Sequence, residues 1–132
     1  MNDQPEPAAN HPPLVLVIDD AEDLRVLVAD LLETHGFRVM SAKNGFEGVT
    51  VAVESQPDVI LMDLGMPGMD GLETARLLKK QPVTSGIPMI AFTGQDVAAD
   101  LPRIRACGFA EVIVKSHDPG PLLASLGRLV QR

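Results

Sequence analysis

The chain has no tryptophan, no tyrosine and a single cysteine, and aromatic residues make up only 3% of it. With so few rings there is no platform on which nucleic acid bases can stack. One cysteine, Cys107, excludes an intramolecular disulfide and a thiolate zinc cluster. Near the end of a helical stretch it reads as a small buried hydrophobe, not as a reactive thiol. Basic residues are also scarce: 11 Lys and Arg stand against 18 Asp and Glu, for a net charge of −7. That balance is poorly suited to the phosphate backbone of DNA or RNA, so no nucleic acid partner is expected. It suits a cation or a basic protein surface. No apolar run approaches the length of a membrane span. No signal peptide opens the chain. A soluble, cytoplasmic protein with no membrane partner is the expectation.

What is present is a large aliphatic content. Hydrophobic residues make up 45% of 132 residues, enough for the core of one domain. Residues 1–13, MNDQPEPAANHPP, hold four prolines and almost no large apolar side chain, so they read as a disordered tail. The domain is expected over 14–132. It opens with LVLVID (14–19), a continuous apolar run that suits a strand buried on both faces of a parallel sheet. Four further runs are read the same way: FRVMSA (37–42), DVILMD (58–63), PMIAFT (88–93) and EVIVK (111–115). Between them lie helical patterns over 21–35, 46–55, 70–80 and 120–131, the first closed by His35-Gly36. The segment 94–109 contains Pro102, which an interior helical turn tolerates badly. A short helix over 101–107, capped by Asp100, is the expected solution. Five β-α repeats with short joints predict an α/β fold with a doubly wound parallel sheet.

Ligands of such sheets bind beyond the carboxyl ends of the strands. Here those ends carry Asp19 and Asp20, Asp63, Thr93 and Lys115. Taken singly, each has a plainer explanation. Asp19 or Asp20 can cap the following helix, threonine is common in strands, and a terminal lysine is usually solvated. Taken together they place three carboxylates, a hydroxyl and an ammonium on one edge. Clustered carboxylates repel unless a cation joins them. Oxygen-only ligands suit a hard ion such as Mg²⁺. A carboxylate can itself be the nucleophile and form an acyl phosphate. Lysine and a hydroxyl can then hold phosphoryl oxygens.

These residues resemble the receiver domain of two-component response regulators. The motifs that carry the resemblance are VIDDAEDLR (17–25), VILMDLGMPGMDGLE (59–73), IPMIAFTG (87–94) and VIVK (112–115). They span about 14–131. The resemblance implies a flavodoxin-like (βα)5 fold with strand order 2-1-3-4-5. It implies Asp63 as phosphoacceptor, and Asp20, Asp63, the backbone carbonyl of Gly65 and, mainly through water, Asp19 around Mg²⁺. Thr93 and Lys115 would be the switch hydroxyl and the phosphate-binding lysine. The phosphoryl donor would be a histidine kinase or a histidine phosphotransfer protein, and the output a protein–protein contact. Gly65 and Gln95, two positions after Asp63 and Thr93, are candidates for tuning dephosphorylation, with Gln95 orienting water. Such a domain is a signalling switch and not an enzyme acting on an external substrate.

Two positions depart from the family pattern. Lys115 is followed by Ser116 instead of proline, and the switch-coupling position three before it is Val112 instead of an aromatic. The valine and the Thr-Gly pair at 93–94 resemble receivers of hybrid kinases and some stand-alone receivers. They keep open a docking module that works without phosphorylation. An aspartate-nucleophile phosphohydrolase is a further rival, but its usual D-x-D after the first strand is here DDA (19–21). A flavin-binding role is disfavoured by an acidic loop without stacking aromatics. His11, His35 and His117 are expected at the surface.

Overall fold

The computed structural model of the chain describes residues 11–65, 70–94 and 100–130. The strands are β1 (Leu14–Ile18), β2 (Arg38–Ala42), β3 (Val59–Met62), β4 (Met89–Thr93) and β5 (Glu111–Val114). The helices are α1 (Glu22–Thr34), α2 (Gly45–Ser55), α3 (Gly71–Lys80), α4 (Leu101–Ala106) and α5 (Gly120–Val130). All strand pairings are parallel, in the order β2-β1-β3-β4-β5. This is the flavodoxin-like arrangement expected.

Alternation along each strand builds two cores. Leu16, Ile18, Ile60, Met62 and Ala91 face one side and pack with Ala52, Leu72, Leu78 and Ile104. Val15, Val17, Val59, Leu61 and Ile90 face the other and pack with Val28, Leu32, Leu122 and Leu126. In β1 and β3 both sets are buried, which locks register. A slip of one residue would carry Asp19 into the apolar layer.

The expected element boundaries hold to within a residue or so, with three differences in burial and capping. Neither FRVMSA nor EVIVK is buried on both faces: β2 and β5 are the edge strands, and Met40 is 39% and Val114 53% exposed. Neither Asp19 nor Asp20 caps α1, because Ala21 occupies the cap position and no side chain bonds there. Asp100 precedes α4 in helical conformation without a side-chain cap bond, and Pro102 lies in the first turn. Of the expected tail, residues 1–10 lie outside the described residues; the backbone N–H and Nε of Arg38 donate to the carbonyls of Pro13 and Pro12. Cys107 is buried at the end of α4, and all three histidines are exposed. No peptide bond among the described residues is cis.

The last helix, α5, is tied to β5 by charge. Arg128 Nη2 donates to Glu111 Oε1 at 2.6 Å and Nε to Oε2 at 3.3 Å, while the buried Ser125 hydroxyl donates to the same carboxylate. The Arg128 bond, then the Ser125 bond, hold the Glu111 carboxyl below its ordinary pKa. The stability this contributes is present above the unfolded value of about 4.3 and is lost as pH falls through the lower folded value. In urea titrations, Arg128→Ala should lower stability by about 0.2–1 kcal/mol at neutral pH. Glu111→Gln should flatten the decline in stability below about pH 4.

Candidate phosphoacceptor site

Strand register assembles the site. Ile18 pairs with both Ala42 and Met62, so the residues that follow β1 and β3 leave the sheet side by side. The N–H of Asp63 donates to the carbonyl of Ile18 at 2.9 Å, and that of Asp19 to Ala42 at 3.1 Å. On the other side Thr93 pairs with Val114, and the N–H of Lys115 donates to the carbonyl of Thr93 at 2.8 Å. All five predicted residues thus reach one edge.

Asp19, Asp20 and Asp63 bring carboxylate oxygens within 4.8 Å of one another. Lys115 Nζ lies 3.1 Å from Asp19 Oδ2 and 3.7 Å from Asp63 Oδ1. Asp19 is only 3% exposed, so its charge needs partners. It has them in the Lys115 ammonium and in the Ala21 N–H, which donates to Oδ1 at 2.9 Å. Asp20 is exposed. The Asp63 side chain is 13% exposed, and its Oδ1 accepts from the Gly65 N–H at 3.2 Å. Thr93 is buried at the strand end and Gly65 is exposed. Val112 is half-buried and packs toward the core shared by α2, α3 and α4. Gln95 lies outside the described residues.

Two contributors were not singled out from the sequence. Arg25 donates through Nη1 to the backbone carbonyl of Asp19 at 2.7 Å and pins the acidic loop. It stands within VIDDAEDLR, but nothing local shows that its reach is backward to a carbonyl. Gly71 opens α3 against the acceptor loop. A Cβ there would lie 2.6 Å from the Asp63 carbonyl oxygen and 2.8 Å from Leu64 Cα. The Asp70–Glu73 capping box fixes that helix start. The Met-Asp-Gly triplet was the available signal for it.

The doubly wound sheet, with acids, hydroxyl and lysine at its carboxyl edge, defines a receiver-type signalling domain. The chain belongs to the response regulator receiver domain family, which it matches over residues 15–127. It is 34% identical to Protein PilH of Pseudomonas aeruginosa over 88% of this chain and 96% of that protein. It is 37% identical to the CAI-1 autoinducer sensor kinase/phosphatase CqsS of Vibrio cholerae, over 87% of this chain but 17% of that much longer protein. The chemotaxis protein CheY4 of Vibrio cholerae superimposes with a TM-score of 0.84 at 29% identity, covering 89% of this chain and 98% of that one. Membership places the protein in two-component signalling. No helix among the described residues is long and apolar enough to cross a membrane.

The tight approach at Gly71 is testable. Gly71→Ala should lower stability by about 1–3 kcal/mol in denaturant titrations, because backbone atoms of the acceptor loop must shift. Gly86→Ala, where a Cβ meets nothing within 4 Å, is the matched control and should change little.

Proposed function

We propose that this domain is a cytoplasmic phosphoacceptor switch, in which Asp63 takes a phosphoryl group from a phosphohistidine of a histidine kinase or a histidine phosphotransfer protein. The convergence of Asp19, Asp20 and Asp63, with Lys115 reaching two of them, carries this reading. It is the arrangement expected of a group that must meet a polyanion while itself negative.

The donor set fits Mg²⁺: every available ligand is oxygen, and Asp20, Asp63 and the Gly65 carbonyl would hold the ion with Asp19 behind them. When bound, Mg²⁺ supplies positive charge beside the transferring phosphoryl oxygens. An Asp63 carboxylate oxygen forms the new bond to phosphorus. The bond from phosphorus to the donor nitrogen breaks, and its electron pair returns to the imidazole. Lys115 leaves its carboxylate partners to meet a phosphoryl oxygen, and the Thr93 hydroxyl donates to another. The phosphoryl group adds charge and acceptors at one point, which shifts the domain between two arrangements and alters its contacts with a partner protein. Gly65 and Gln95 tune the loss of that group: glycine leaves the line of attack open and glutamine orients water.

With acetyl phosphate and Mg²⁺, intact mass should show one added phosphoryl group, absent in Asp63→Asn. Gain on the Asn variant would overturn the assignment. Lys115→Ala should slow the gain about ten- to a hundredfold, the loss of charge-assisted bonds worth roughly 1.5–3 kcal/mol. Replacing Gln95 by Ala should lengthen the phosphoryl half-life; an unchanged half-life would remove Gln95 from this role.

A further inference from the structure

We propose that Phe92 is a positioning residue for Lys115 and links the acceptor site to the face formed by α1 and α5. The inference rests on Asp63 as acceptor for its signalling half and stands alone for its positioning half. Where the family often carries a ring, at 112, this chain has valine. A ring stands instead on β4, immediately before Thr93. The Lys115 ammonium lies 5.8 Å from the centroid of Phe92, within the range at which a cation is drawn to a ring face. The same ammonium contacts Asp19 and Asp63. Among the described residues, Phe92 is therefore a third partner, and it stands outside the acidic cluster.

The ring also borders open space. Phe92 and Lys115 both line a cavity of about 270 Å³ between α1 and the β5–α5 connection, shared with Leu24, Leu27, Val28 and Leu122. A ring inside a close-packed core has nowhere to go. A ring beside a cavity can change its setting at small cost. Leu27 is 65% exposed, so the far wall of this cavity is also surface. When a phosphoryl oxygen at Asp63 draws the ammonium inward, the ring loses or changes its cation. That differential contact is what couples the site to α1 and the β5–α5 connection. The opposite route, through Val112 and α4, runs along the other core, in which Phe109 is buried.

The chain has four phenylalanines, which makes fluorine labelling simple. In protein carrying 4-fluorophenylalanine, each resonance is assigned by Phe→Leu replacement, and occupancy of Asp63 is followed by mass during phosphorylation. The Phe92 resonance should shift in step with occupancy and stay fixed in Asp63→Asn. A stationary Phe92 resonance at high occupancy, with or without movement of Phe109, would overturn the coupling. Positioning is tested without phosphorylation. The Lys115 side-chain methylene signals should carry a ring-current shift that Phe92→Leu abolishes and Phe92→Tyr keeps. Absence of that shift would overturn the positioning role, even if Asp63 proved not to be the acceptor. In unlabelled protein, Phe92→Leu should slow phosphorylation by acetyl phosphate about two- to fivefold, with Phe92→Tyr restoring it. Equal slowing in both would count against the ring.

Discussion

Three carboxylates within 4.8 Å of one another repel, and Lys115 answers that repulsion from 96 residues beyond Asp19. The ion pairs it makes with Asp19 and Asp63 join the first, third and fifth strands at the carboxyl edge. They can form only if parallel register brings those three strand ends level. Register in turn is locked by β1 and β3, whose side chains are buried on both faces. The hydrophobic layers and the charged edge therefore support each other: burial aligns the ends, and the lysine makes the aligned ends tolerable.

The edge is rigid where chemistry needs precision. Backbone bonds hold Asp19 to β2 and Asp63 to β1, Arg25 pins the acidic loop, and Gly71 lets α3 begin directly against the acceptor loop. On the side of α1 and α5, among the described residues, a cavity lies beside Phe92. In the opposite core Phe109, Ile104 and the small side chains of Ala75 and Ala91 are buried. An aliphatic, ring-poor sequence has few large movable groups. In the proposed coupling, it is the position of Phe92 that directs a change at the edge toward the face of α1 and α5.

Much of this was legible along the chain. Continuous apolar runs ending in acid marked β1 and β3, because a strand covered on both faces has no place for polar residues until it leaves the sheet. Pro102 marked a short fourth helix, and the structure gives one of six residues. Local sequence misleads where neighbours decide. FRVMSA and EVIVK look like interior strands locally, but edge position comes from topology and leaves Met40 and Val114 exposed. Asp19, Asp20 and Asp100 were candidate caps on local grounds. Asp19 instead spends its carboxylate on Lys115 and a turn N–H, and Asp100 makes no side-chain cap bond.

By itself the sequence determined the alternation of elements and the residue types at the strand ends, because burial periodicity and strand termination are local properties. It also showed that the ring expected at 112 is absent. Only the tertiary structure decided how those strand ends meet: that Lys115 bridges Asp19 and Asp63, that Arg25 reaches back to a carbonyl, and that Phe92 lies under the ammonium beside a cavity. Each of those contacts depends on register and crossover, which set distances between residues that the chain itself keeps far apart.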